Sequence, residues 1–160
     1  MSSVYVASPY GFSPATRGYY DDVLLPALRS AGWTPLDPWA DDDGSIASAF
    51  ASAESLAGSP AYQRALRELD ARIGAANEQL IRSADALLAV LDGSDVDSGT
   101  AAEIGFAAAL GIPAAGLRLD TRRTGDNAGV TVNLQVEHWL PLGVHRTVEA
   151  AVLGLAPAQR

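Results

Sequence analysis

Apolar positions along the chain fall into short uninterrupted runs and longer stripes of helical period. Ser3 to Ala7 is a short apolar run ending in Ser8-Pro9-Tyr10-Gly11, the pattern of a strand that opens into a loop. Ser13-Pro14 then supplies a cap followed by proline at the first helical position, and Tyr20, Leu24, Ala27, Leu28 and Ala31 share one helical face as far as Gly32. Pro26 lies inside this stripe and removes a backbone donor, which predicts a kink or local break. Trp33 to Leu36 reads as a second short strand. Ser59-Pro60 repeats the cap-plus-proline signal, and Tyr62, Leu66, Leu69, Ile73, Ala76 and Leu80 carry a stripe to about Ala84, with Gly74 as a point of division. Ala86 to Leu91 is apolar throughout, as expected of a central parallel strand covered on both faces. Ala101 to Leu110 is a small-residue helix stopped by Gly111, Pro113 to Leu119 a further strand, and Thr147 to Leu155 a last helix. Asp37 to Ser59, Asp92 to Thr100 and Asp120 to Gly129 read as loops, while Val130 to Leu140 fits neither period.

Strands alternating with helices indicate a doubly wound parallel sheet. In such sheets ligands sit beyond the carboxyl ends of the strands, here the loops after Ala7 and Leu91. The 160-residue length suits one compact domain. With no cysteine there is no disulfide, iron-sulfur cluster or thiol nucleophile, and because all 11 basic residues are arginine there is no Schiff-base lysine. A formal charge of -8 opposes binding to nucleic-acid polymers and anionic membranes, so the expected partner is small. The amino terminus lacks a basic start followed by an apolar stretch, and no apolar run approaches the roughly 20 residues of a membrane span, so the expected location is the cytoplasm.

The loop after the central strand holds most of the candidate chemistry. It reads Asp92-Gly93-Ser94-Asp95-Val96-Asp97-Ser98-Gly99-Thr100-Ala101-Ala102-Glu103-Ile104-Gly105, with Asp97 and Glu103 around a helix start. Two readings stand together. Thr100-x-x-Glu103 has the form of a capping box, in which the glutamate serves only the helix end. The same pair could instead perform carboxylate chemistry at the ligand crevice. Asp92 and Asp95 read on their own as turn residues. The run Asp41-Asp42-Asp43 lacks the spacing of a calcium loop and reads as a solvated loop. Neither phosphate-binding glycine fingerprint nor a nucleophile elbow is present. His138 and His145, seven apart, do not form a metal motif, so no metal or other cofactor is expected. Trp33, Trp39 and Trp139 read as core or interface, with Trp39 alone in a variable loop that could reach a base, and Arg17 as a surface cation with phosphate contact as its alternative.

Four blocks occur in order: Val4-Tyr5-Val6-Ala7-Ser8-Pro9 with Phe12; Asn77-Glu78-Gln79-Leu80-Ile81 followed by Ser83-Ala84-Asp85-Ala86; Asp97-Ser98-Gly99-Thr100-Ala101-Ala102-Glu103-Ile104-Gly105; and Val132-Asn133-Leu134. The third resembles a D-x-G-T-x-x-E-x-G signature. Together, from Val4 to about Leu155, they resemble the nucleoside 2-deoxyribosyltransferases and their N-hydrolase relatives. The resemblance implies a flavodoxin-like doubly wound α/β sheet, mainly parallel, with about five strands and helices on both faces, in a single domain over 1–160. It implies that Glu103 is the nucleophile, that Asp97 hydrogen-bonds the base and helps protonate the leaving nitrogen, and that Tyr5 orients Glu103. Phe12 would cover base or sugar, Asn77 would line the base pocket where some relatives carry an acid, and Asn133 would serve a neighbouring subunit's sugar site. Asp92 and Gly99 are counted with the substrate-binding residues. The implied reaction moves 2-deoxyribose from a deoxynucleoside to a free nucleobase through a covalent glutamyl-deoxyribosyl intermediate, with retention. Hydrolysis of nucleosides or nucleoside 5'-monophosphates is the alternative, and a non-catalytic sensor of a nucleotide-like ligand is a further one. The implied assembly is a homodimer or trimer of dimers with shared sites.

Overall fold

The computed structural model describes residues 2–41 and 43–155. Five strands, β1 (Ser3–Ala7), β2 (Thr34–Leu36), β3 (Ala86–Val90), β4 (Ala114–Leu117) and β5 (Val144–His145), form one sheet in the order β2-β1-β3-β4-β5. Every pairing is parallel. The doubly wound sheet expected from the sequence is therefore present, and β5 is a short edge strand that its two residues gave no pattern to find.

Alternation along the strands divides the core in two. Val4, Val6, Leu88, Val90 and Leu117 point to one face, where Tyr20, Leu24, Leu28, Val148 and Val152 cover them. Tyr5, Ala7, Leu87 and Ala89 point to the other, against Ile81, Ile104, Ala107 and Val136. The first face carries α1 (Pro14–Tyr19), a π-helical segment (Tyr20–Leu24), α2 (Leu25–Ser30) and α7 (Val148–Gly154). The second carries α4 (Pro60–Ser83), α5 (Ser98–Ala109) and α6 (Leu134–His138). Both layers bury a stripe at helical spacing, so the two cores are a direct consequence of the sequence pattern.

The break expected at Pro26 takes the form of the π segment, in which Leu25 N–H reaches back to Tyr20 O. Proline lacks an N–H and its ring crowds the carbonyl four residues earlier, and the wider turn relieves both faults without ending the helix. Gly74 does not divide α4, which runs unbroken for 24 residues. Gly111 ends α5 as expected, and its φ of 74° is the left-handed conformation that glycine adopts freely.

The expectation of a loop from Asp37 to Ser59 is corrected by α3 (Ser45–Glu54). Its alanine-rich sequence favours helix, but it carries only a narrow apolar stripe. The acid run supplies its start: the two Asp41 carboxylate oxygens accept from Ile46 N–H at 2.9 Å and Ala47 N–H at 2.8 Å. Asp43 accepts from Ser45 N–H at 2.9 Å. Asp42 lies outside the described residues.

Candidate active site

The carboxyl ends of β1, β2 and β3 open into a cleft of about 560 Å³. Ser8 and Phe12 enter it from the loop after β1, and Asp37 and Trp39 from the loop after β2. Ile46 and Phe50 of α3 form one wall, Ile73, Asn77 and Leu80 of α4 another, and Asp97, Gly99, Thr100 and Glu103 close the end of β3. The walls are largely apolar and the groups set into them are mostly carboxylates.

The capping-box reading of Glu103 does not hold, because α5 begins three residues earlier than its apolar pattern indicated. Asp97 is the cap, accepting from Thr100 N–H on Oδ2 at 3.0 Å. Thr100 is thereby inside the first turn and Glu103 in the second, where no free backbone N–H remains for it to cap. Its side chain turns to the sheet instead, and Tyr5 O–H donates to Glu103 Oε1 at 2.6 Å. Burial pushes the Tyr5 phenol far up, with the Glu103 charge adding to it, so Tyr5 stays a protonated donor. Burial also raises Glu103 above the ordinary carboxylate value; the Tyr5 hydrogen bond opposes that rise and the Asp97 charge adds to it. The result is a partly desolvated carboxylate with one oxygen fixed and the other open to the cleft.

Phe12 is 73% exposed at the mouth and meets Trp39 edge-on, ring centroids 4.6 Å apart. Trp39 is tied by its indole N–H to Ser8 O at 3.0 Å and lies over Gly11, where an added Cβ would fall 2.1 Å from the ring. Only glycine allows that approach. Asn77 is half-buried with no side-chain hydrogen bond to another described residue. Gly99 lies against the Asp97 carboxylate. The structure thus brings Tyr5, Phe12, Asn77, Asp97, Gly99 and Glu103 together.

Asp92, expected at the site, is elsewhere, and Asn133, expected at a neighbouring subunit's site, lies outside this chain's own cleft. Asp92 does not line the cleft; it receives Tyr10 O–H at 2.5 Å, Leu119 N–H at 2.7 Å and Asp120 N–H at 2.9 Å, so it ties three strand-end loops together. Asn133 is exposed and caps α6, accepting from Gln135 and Val136 N–H. Arg17 pairs with Asp21 at 2.8 Å away from the cleft lining. Trp33 is buried in the first core and Trp139 packs on the second. Asp37, Asp70, Ile46 and Phe50 line the cleft unanticipated. Asp37 follows β2, and the strand-end rule applied to that loop also would have found it.

The family model for nucleoside 2-deoxyribosyltransferase matches residues 4–135. The chain belongs to this family. A 2-deoxyribosyltransferase from Leishmania mexicana is similar at 26% identity and TM-score 0.65, covering 96% of this chain and 95% of its own. A conserved protein from Enterococcus faecalis V583 shares the fold at 24% identity and TM-score 0.65, with 96% of each chain covered. The fold is also that of a 2-deoxyribosyltransferase from Bacillus psychrosaccharolyticus, at 21% identity and TM-score 0.61 over 87% of this chain and 82% of that one. No curated protein sequence matches the chain. A deoxyribosyltransferase-type function on small deoxynucleosides and nucleobases follows from the family. Among the described residues no helix is long and apolar enough to cross a membrane.

Proposed function

We propose that this deoxyribosyltransferase family member moves 2-deoxyribose between nucleobases by double displacement on Glu103. The observation that carries the reading is the Tyr5–Glu103 pair at 2.6 Å on the cleft floor, beside Asp97 at the start of α5. Tyr5 fixes Oε1, which leaves Oε2 to attack the anomeric carbon as the N-glycosidic bond breaks. The bond electrons go to the leaving nitrogen, and Asp97, which hydrogen-bonds the base, relays to it a proton taken up from water. A second base then attacks the same carbon, displaces Glu103 and returns a proton to water through Asp97, so two inversions give net retention. An oxocarbenium-like transition state is favoured by the glutamate anion, and partial desolvation strengthens that attraction.

Transfer must outrun attack by water. The aromatic and aliphatic walls from Phe12, Trp39, Ile46, Phe50 and Ile73 suit a flat base and exclude solvent around it. An acceptor held in line gains an effective molarity of up to ~10^5 to 10^8 M, enough to beat bulk water. Among the described residues the lining contains carboxylates and no arginine, which favours a nucleoside with a free 5'-hydroxyl over a 5'-monophosphate. Asn133, exposed on its own chain, is free to complete a neighbour's sugar site in a homo-oligomer.

The test is chromatography of a 2'-deoxynucleoside incubated with and without a second free base. A new nucleoside that forms faster than free deoxyribose accumulates supports transfer. Equal deoxyribose release in both arms makes the protein an N-hydrolase, and no release from any deoxynucleoside makes the cleft a binding site. Glu103→Ala should stay folded and lose turnover. A monomer by light scattering with full activity would remove Asn133 from the site.

A further inference from the structure

We infer that Asp37 is a specificity-determining residue that accepts a hydrogen bond from a hydroxyl of the deoxyribose. The inference rests on the proposed function, since it takes the cleft to hold a nucleoside with its sugar against Glu103.

Register puts Asp37 on the sugar side of the cleft. Leu36, the last residue of β2, pairs with Tyr5 of β1, the residue that holds Glu103. Asp37 is the next residue and lines the cleft as the chain leaves the sheet. The Asp37 charge is felt by the Tyr5 phenol, in keeping with that proximity. Asn77 and Asp70 stand on α4, across the cleft from this edge.

The carboxylate is fixed from behind. Tyr20 O–H donates to Asp37 Oδ1 at 2.7 Å, and Trp39 N–H donates to the same oxygen at 2.9 Å. No described donor reaches Oδ2. Tyr20 is fully buried, belongs to the core on the opposite face of the sheet, and begins the π segment that Pro26 induces. Two donors on one oxygen orient the group and leave an anionic oxygen in a cleft with mostly apolar walls. Such an acceptor is satisfied by an O–H donor, and the deoxyribose carries one at the 3' and one at the 5' position. A charge-assisted hydrogen bond of this kind is worth about ten- to a hundredfold in binding.

Asp37→Asn separates this role from a structural one. The amide keeps an oxygen for Tyr20 and Trp39 and replaces only the cleft-facing anion. Binding is read by calorimetry in a Glu103→Ala background, which removes turnover, using whichever of the four common 2'-deoxynucleosides binds best, its free base, and its 3'-deoxy and 5'-deoxy analogues. Adding Asp37→Asn should weaken the nucleoside about tenfold and the free base less than twofold. One analogue, lacking the hydroxyl that Asp37 reads, should lose that sensitivity while the other keeps it. In otherwise wild-type protein Tyr20→Phe should produce a smaller change of the same kind in the KM ratio of natural donor to that analogue. Equal weakening of nucleoside and free base would reassign Asp37 to the base, and no weakening, or equal sensitivity in both analogues, would overturn the inference. Deoxynucleosides that bind without being turned over by the wild-type protein would instead sink the proposed function and leave the Asp37 comparison standing. If none binds, both fall.

Discussion

Tyr5→Phe tests the central contact by deleting one oxygen from a fully buried side chain. The lost group donates to Glu103 at 2.6 Å and holds down a carboxylate that burial pushes up. A hydrogen bond to a charged group contributes about 1.5–3 kcal/mol, so its removal should raise the Glu103 pKa by about one to two units, at 1.36 kcal/mol per unit. The nucleophile must be ionised. The acid limb of kcat/KM against pH should therefore move to higher pH by that amount, with activity on the acid side of the limb falling up to about ten- to a hundredfold and activity at pH 8.5 falling less. Phenylalanine fits the space that tyrosine occupies, so the variant should stay folded, but Glu103 loses its donor and stability at neutral pH should fall by about 1.5–3 kcal/mol, a loss that fades as the carboxyl protonates at lower pH. The assay is initial-rate kinetics from pH 5 to 9 with thermal unfolding of both proteins in the same buffers. An acid limb that stays in place while the variant remains folded would refute the claim that Tyr5 sets the ionisation of Glu103.

Glu103→Gln should abolish turnover while stabilising the fold at neutral pH. The folded-state pKa of Glu103 lies above its ordinary 4.5, so ionising it costs folding energy once pH exceeds that raised value, and the cost fades as pH falls to 4.5. Glutamine keeps the acceptor for Tyr5, so urea unfolding should show a gain at pH 7.5 and little at pH 4; no difference between the two would contradict the raised value. Gly11→Ala should drive the indole of Trp39 off the loop, since its Cβ would sit 2.1 Å from the ring, raising KM for donor and acceptor more than it lowers kcat; unchanged KM would mean that Trp39 does not shape the bound substrate. Arg118 is fully buried and donates to Leu91 O, Gly93 O and Arg122 O. Arg118→Met leaves those carbonyls short of donors and should cost about 2–5 kcal/mol in urea unfolding, with a much smaller loss arguing that water replaces the guanidinium.

Much of this protein is legible in its sequence because apolar periodicity reports directly which face of an element is buried. The run Ala86 to Leu91, the stripe from Tyr20 to Ala31 and the cap at Ser59-Pro60 place β3, the first helical layer and the start of α4 without tertiary information. The block Asp97 to Gly105 likewise marks the loop that carries Asp97 and Glu103. Elsewhere, local pattern and final role part company. Helix α3 is Ala/Ser-rich with a narrow apolar stripe, so its existence rests on Asp41 capping and on packing against α4, both unreadable from period. Strand β5 owes its place to the open edge of β4. The choice between capping and chemistry for Glu103 turned on which residue, Asp97 or Thr100, begins the helix, and that depends on how the loop leaves β3. Asp92 and Asp37 are both acids just beyond a strand end, alike in sequence; backbone donors from the β4 loop occupy one and leave the other an open oxygen in the cleft. Sequence alone therefore determined the four longer strands, the helices with a broad apolar stripe and the residue types available, because burial periodicity is local. Tertiary structure decided which carboxylates keep a free oxygen, because the competing donors come from strands distant along the chain.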